Sequence, residues 1–400
     1  MRVALNGWFW NHLATGSGQY LRRLVAALIA DDPTLQLHVF TPTLQESDPG
    51  IESNPRLKLI SRAAPRTHLG KVRWEQILVP RWSAQVGADL LHVPYWAPPL
   101  HSSIPVVVTA HDIIPLVLKP YRGGWRVRAY TALVSAGTPR AQLVLTDSEA
   151  SRDDILKHLH VVPNQVRAIP LAVDQAYVPT PSPEDARLRG ALKVASRYIL
   201  YLGGFDVRKN VATLFDAFSI VHQTYPDVSL VVAGRLPASD TDFHPDPRRL
   251  AQAARLPDGA VRFVGFVSEA QKLALYRGAR AFVFPSSYEG FGYPALEAIA
   301  CGVPVVASDA SSLPEVVGDA GVLLQPQDIS GIAGALIQLL IDEPFHAGLV
   351  RRARIQSQRF SWQQTAKETR DAYRDVAFPL TQAKSTSGSK SMPPNNKIEV

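Results

Sequence analysis

The chain has 400 residues, 46% of them hydrophobic and 19% charged, with a single cysteine and a net charge of +7. It is too long for one ordinary core and too apolar to stay disordered, so two globular domains are expected. One thiol, Cys301, excludes an intrachain disulfide and any cysteine-built metal cluster, and no run of about eighteen apolar residues offers a spanning helix.

The opening MRVALNGWFW alternates as a strand does. It lacks the apolar run and cleavage site of a signal peptide, so a reducing, cytoplasmic location is expected. Strand-like apolar runs recur at 3–6, 37–40, 57–60, 90–93, 106–109, 143–146 and 166–169, with helical segments such as 19–29 and 151–158 between several of them. Residues 174–197 break the rhythm with Pro179, Pro181 and Pro183 and read as a linker. Runs resume at 198–202, 229–233, 261–264, 281–284, 303–307 and 322–324, separated by helices such as 211–222 and 269–279. Residues 361–376 read as a terminal helix able to pack back on the first domain. Residues 380–400, rich in Ser, Lys, Pro and Asn, read as a disordered tail. Short β-rich runs alternating with helices mean parallel sheets covered on both faces. The expected fold is α/β: two Rossmann-like, doubly wound domains, at 1–178 and 198–360 with the linker at 179–197, facing each other across a cleft.

The positive charge is uneven. Between residues 53 and 88, Arg56, Lys58, Arg62, Arg66, Lys71, Arg73 and Arg81 face Glu75 alone, and from 113 to 146 Lys119, Arg122, Arg126, Arg128 and Arg140 face no acid. Trp74, Trp82 and Trp125 lie in these stretches. They suit a dock for an anionic membrane or an anionic acceptor; the plainer reading is a solvated face over core aromatics. No nucleic-acid reader motif is present. Acceptor selection is expected in loops at 8–14, 96–103 and 119–125.

Loops that follow strands are where such folds do chemistry. EGFGYPALE, from Glu289 to Glu297, holds a loop with Gly290, Phe291 and Gly292 that opens a helix near Pro294, since proline suits a first helical turn. The exposed amides of that turn form an anion cradle. The two glutamates would repel phosphate and suit sugar hydroxyls instead, one at each end of a ligand. LGGFDVRKN, from Leu202 to Asn210, follows another strand; Gly203 and Gly204 permit close approach, and Arg208 and Lys209 stand just before a helix. Cations at a helix start oppose its dipole, so an anion is their natural partner, and a diphosphate leaving group is one. The loop Gly16-Ser17-Gly18 is a weak dinucleotide-like signal without GxGxxG spacing, which disfavours a nicotinamide dehydrogenase. His111 and Asp112 end an apolar strand; His111 can reach a bound sugar, and Asp112 can hold its ring or cap the next segment. Asp240-Thr241-Asp242 has the Asp-x-Asp spacing of some metal sites but lies in a polar, proline-rich stretch, so it reads as a loop and no metal is expected.

Taken together, EGFGYPALEAIACGVPVVAS, YLGGFDVRKN, VRFVGFVSEAQKLALYRGARAFVFPS, TAHDIIPL, TDSEASRDDI and the Gly16–Gly18 loop resemble glycosyltransferase family four, the retaining enzymes of GT-B fold. They occur in that family's order and span about residues 3 to 376. The HDIIPL segment is most similar to the mannosyltransferase-type members. The resemblance implies that Arg208 and Lys209 bind the donor diphosphate. It implies that Glu289 contacts the donor sugar beside the amides of Phe291, Gly292 and Tyr293, and that Glu297 holds the ribose. Phe266 and Val267 would flank the base, Gly16 and Gly18 would let their loop approach the diphosphate or acceptor, and His111 would lie by the transferred sugar. Gln19 departs from the pattern, standing where many members carry a basic residue. The implied reaction moves a hexose, mannose foremost, from a GDP- or UDP-linked donor to a glycan or lipid-linked acceptor in polysaccharide biosynthesis. It needs no cofactor, and the leaving phosphate takes the acceptor proton on the same face. The alternatives are a nucleotide-sugar epimerase, a phosphorylase, which would need a pyridoxal-binding lysine that nothing marks, and a non-catalytic sugar-binding module.

Overall fold

Buried parallel strands need no alternation of apolar and polar residues, because helices cover both faces of the sheet. The thirteen apolar runs fold that way in the computed structural model, which describes residues 1–12, 15–42, 53–64 and 67–379. β1 (Arg2–Asn6), β2 (Gln36–Thr41), β3 (Leu57–Ser61), β4 (Leu90–Val93), β5 (Val106–Thr109), β6 (Leu143–Thr146) and β7 (Val166–Ala168) form a parallel sheet in the order β3-β2-β1-β4-β5-β6-β7. β8 (Tyr198–Leu202), β9 (Ser229–Ala233), β10 (Val261–Gly265), β11 (Ala281–Phe284), β12 (Val305–Ser308) and β13 (Gly321–Leu324) form a second, in the order β10-β9-β8-β11-β12-β13. Within β1, Val3 and Leu5 join one core while Ala4 joins the other, and all three are fully buried.

Both strand orders reverse once, between β1 and β4 and between β8 and β11. At such a switch the loops leaving the carboxyl ends of neighbouring strands part and leave a crevice. The loops after β8 and β11 are those that carry Arg208, Lys209 and Glu289.

The helix Trp362–Ala377 packs on the helix Gly16–Asp31 of the first sheet's layer. Arg370 pairs with Asp31 at 2.5 Å and Arg374 with Asp32 at 2.9 Å. Tyr373 is buried and its hydroxyl meets His92 Nδ1 at 2.6 Å, while His92 Nε2 meets Thr109 Oγ1 at 2.8 Å. The tail at 380–400, Arg66 and the end of the 8–14 loop lie outside the described residues.

Candidate active site

Asn210 takes a left-handed conformation (φ 53°, ψ 39°) and anchors its amide group on the carbonyls of Pro285 (3.2 Å) and Pro326 (2.6 Å). The turn Val207–Lys209 is thereby tied to the loop after the neighbouring strand β11. Arg208 Nη1 reaches Glu289 Oε2 at 2.8 Å, and Lys209 Nζ reaches Glu289 Oε1 at 2.5 Å. Ser286 donates to Glu289 Oε1 at 2.6 Å, and Asp206 flanks Arg208 at 3.1 Å. Burial opposes charge on Glu289, but Lys209 and Arg208 outweigh it and hold the carboxyl below its usual range. Two cations in a shielded crevice need a counter-charge, and Glu289 supplies it.

His111 comes from the other sheet, at the end of β5. Its Nδ1 lies 2.7 Å from Asp147 Oδ2, while its buried Nε2, near the Pro94 carbonyl, makes no hydrogen bond of good geometry among the described residues. Burial resists charging the ring, yet Asp147 prevails and lifts the pKa above the ordinary imidazole value. Asp112 accepts from the Ile114 amide at 3.1 Å, so it caps the next segment and the ring is held by Asp147.

The loop 285–292 docks on the first sheet's strand ends. Ser148 and Ser151 donate to the Gly290 carbonyl at 2.8 and 3.0 Å, and Tyr288 donates to Asp154 at 2.6 Å. A Cβ on Gly290 would stand 2.4 Å from the His111 carbonyl, so only glycine permits this approach. The cleft so formed holds about 430 Å³ and is lined by Gly16, Tyr20, His111, Asp112, Asp147, Arg208, Glu289, Phe291, Gly292 and Tyr293, among others. Gly292, at φ 103°, starts the helix Tyr293–Ala300 without a side-chain cap. Among the described residues the amides of Phe291, Gly292 and Tyr293 donate to no protein group.

Of the expected residues, Lys209, Glu297, Phe266, Val267, Gly18 and Gly203 lie outside that lining. Glu297 is buried on the same helix, bound to Lys272 Nζ at 2.8 Å and to the Tyr276 hydroxyl at 2.9 Å. Phe266 is 69% exposed with Arg235 over its ring at 5.5 Å; Val267 precedes Ser268, which caps the helix Glu269–Gly278 bearing Lys272. Gly18 and Gly203 make close approaches, but to the chain itself: a Cβ would meet the His12 carbonyl oxygen at 2.2 Å and the Tyr201 hydroxyl at 2.9 Å. At Gly16 a Cβ would meet open space. Asp240 is engaged by Arg249 at 2.6 Å, and among the described residues no His, Cys, Asp and Glu group has metal-binding geometry.

In the first basic stretch Trp74 and Glu75 are buried, Glu75 held by Lys71 and Tyr130, while Trp125 of the second is 74% exposed. Asp147, Ser286, Asp206 and Lys272 were not anticipated. Asp147 ends β6 as His111 ends β5, and that shared strand-end position was the available signal.

Residues 14–177 match the family model described as Glycosyltransferase Family 4, and residues 184–356 the model described as Glycosyl transferases group 1. The chain is 30% identical over 374 residues to O-antigen chain mannosyltransferase B of Escherichia coli, covering 90% of this chain and 96% of that protein. The chain belongs to glycosyltransferase family four. This family-four chain is also 31% identical to the serotype-specific mannosyltransferase WbdA of E. coli, over 65% of its own length and 32% of that longer protein. Among solved structures it is similar to sucrose-phosphate synthase from Thermosynechococcus elongatus, with TM-score 0.73, 25% identity and coverage of 94% and 99% of the two chains. It is therefore a hexosyltransferase of GT-B architecture, and these relatives do not favour the epimerase, phosphorylase or non-catalytic readings.

Proposed function

We propose that this enzyme is a retaining, metal-independent mannosyltransferase that takes mannose from a GDP- or UDP-linked donor to a glycan or lipid-linked acceptor. The observation that carries the reading is convergence. Arg208 from one sheet's loops and His111 from the other's line one cleft, with Lys209 held by the same carboxylate as Arg208 and three open amides alongside. The mannosyltransferase relatives support the sugar.

Arg208 and Lys209 face the donor diphosphate. Charge grows on its bridging oxygen as the C1–O bond breaks, so fixed cations favour the transition state over the ground state. The Phe291–Tyr293 amides serve the same charge. Glu289 already accepts three hydrogen bonds of the roughly four a carboxylate can take. Its remaining lone pair, on Oε2, suits a sugar hydroxyl. His111 lies at the cleft wall beside the transferred sugar. Glu297, steadied by Lys272 and Tyr276, serves the ribose, and Phe266 and Val267 the base. Gly16 brings its loop to the diphosphate or acceptor, with Gly18 and Gly203 shaping the loops behind.

Retention is what membership of the family implies, and the way the cleft's other carboxylates are engaged favours same-face attack over a covalent glycosyl-enzyme. Asp112 caps Ile114 and Asp147 holds His111, so neither is offered as a nucleophile. The acceptor oxygen attacks C1 on the face the diphosphate leaves: the C1–O(acceptor) bond forms, the C1–O(phosphate) bond breaks, and the acceptor proton passes to the departing phosphate oxygen. The Glu289 and Glu297 pair is not a hydrolase acid and base. A cytoplasmic location with peripheral contact to an anionic membrane, through faces such as that of Trp125, suits a lipid-linked acceptor.

Lys209→Ala is expected to lower kcat about a hundredfold or more, because one fixed charge at the leaving group is removed. Wild-type turnover in that variant would remove Lys209 from the mechanism.

A further inference from the structure

The basic stretch at 113–146 folds into something the donor site does not use. Between the turn Ile114–Val117 and the helix Trp125–Gly137 runs a groove of about 360 Å³, lined by Pro115, Leu116, Arg122, Arg128, Thr131 and Ser135 among others. Arg128, Thr131 and Ser135 recur at spacings of three and four and so share one face of the helix. Among the described residues the guanidinium group of neither Arg122 nor Arg128 has an ion-pair or hydrogen-bond partner, and the Ser135 hydroxyl has none either. The helix's first turn carries no acid and no side-chain cap, so its dipole adds to the positive potential.

Exposed arginines are usually just solvated. These two differ in place and in company. Tyr121, beside Arg122, donates its hydroxyl to Asp206 and lays its ring 6.0 Å from the Arg208 guanidinium. Pro115 follows Asp112, which lines the catalytic cleft, by three residues. One short segment thus joins the donor cations to the groove, and the groove belongs to the domain opposite the donor loops.

We propose that this groove is an anion site for the acceptor, binding a phosphate or diphosphate ester that the acceptor carries near the hydroxyl to be glycosylated. The proposal rests on the transferase reading above. Two guanidinium forks match phosphate oxygens in a way a neutral glycan would not need. The Thr131 hydroxyl adds a donor, and Pro115 and Leu116 offer an apolar wall to whatever the ester is attached to.

The test is calorimetric titration of the full chain with octyl diphosphate, with octyl glucoside as the neutral control. The donor site is first filled by whichever nucleoside diphosphate raises the melting temperature. Wild-type protein is expected to bind octyl diphosphate with strong salt dependence. R122Q/R128Q is expected to bind it at least tenfold more weakly, with unchanged nucleotide affinity and unchanged melting temperature. Equal affinity in the two proteins overturns the proposal. So does a double variant that loses only its sedimentation with phosphatidylglycerol vesicles and keeps octyl diphosphate, since the arginines are then a membrane contact. Failure of every nucleotide to bind strikes the donor reading instead, and the same comparison without nucleotide still decides the groove.

Discussion

Glu289→Gln separates two jobs that the structure gives one carboxylate. In the resting site Glu289 is only 8% exposed and neutralises Arg208 at 2.8 Å and Lys209 at 2.5 Å. Removing its charge leaves two shielded cations with Asp206 alone beside Arg208. Breaking a buried pair costs about 3–5 kcal/mol; access to the cleft and the remaining Asp206 bring the expectation to about 2–3 kcal/mol. The melting temperature of the second domain should therefore fall by about 5–10 °C. The donor diphosphate competes with Glu289 for the same cations. A unit charge about 5 Å away at an effective dielectric constant of about 20 is worth about 3 kcal/mol, which exposure to the cleft roughly halves. Affinity for the free nucleoside diphosphate should thus rise about tenfold in the variant, while kcat falls about a hundredfold through loss of the sugar contact. Calorimetry and steady-state kinetics on the same preparations check both. Nucleotide affinity that falls together with kcat would refute the reasoning, because Glu289 would then be helping to bind the diphosphate rather than competing for its partners.

Asp147→Asn should lower the His111 pKa, since the carboxylate is what lifts it against burial; imidazole titration by NMR reads the shift directly, and an unmoved pKa contradicts the assigned pairing. Burial pushes His92 down to about 3, so the unfolded chain takes its proton below about pH 6.5 while the folded chain does not, and stability falls as pH drops through that window. Between pH 7 and 5 the wild type should lose about 2 kcal/mol more stability than His92→Gln in denaturant titrations, and equal losses would show that the ring is not kept neutral by the fold. Peripheral membrane contact should appear as salt-sensitive sedimentation with anionic vesicles, and absence of binding at low salt disposes of it.

The strands were legible because each is a local fact. A run such as Val106–Val108, buried on both faces of a parallel sheet, must be apolar along its whole length, and the sequence carries that without help from distant residues. The loops were legible as positions for the same reason: they follow strands. What they touch was not. Glu289 meets Arg208 and Lys209 only because β8 and β11 are neighbours, a pairing across about eighty residues that no spacing encodes. Asp147 reaches His111 through adjacent β5 and β6. Lys272 lies inside a stretch that carries the family resemblance, yet its role needs Glu297 placed beside it by a different helix. Gly18 shows the opposite limit: a glycine in a loop signals a close approach, and here that approach is to the His12 carbonyl.

If this cleft binds a nucleotide sugar, Arg208 and Lys209 hold its diphosphate. The most direct measurement is a thermal-shift titration of the wild type and Lys209→Ala with GDP-, UDP- and ADP-sugars. One nucleotide class should raise the wild-type melting temperature by an increment that grows with concentration, as binding to the folded state requires, and the rise should be much smaller in the variant. No response of the wild type to any donor, or the same response in both proteins, would contradict it.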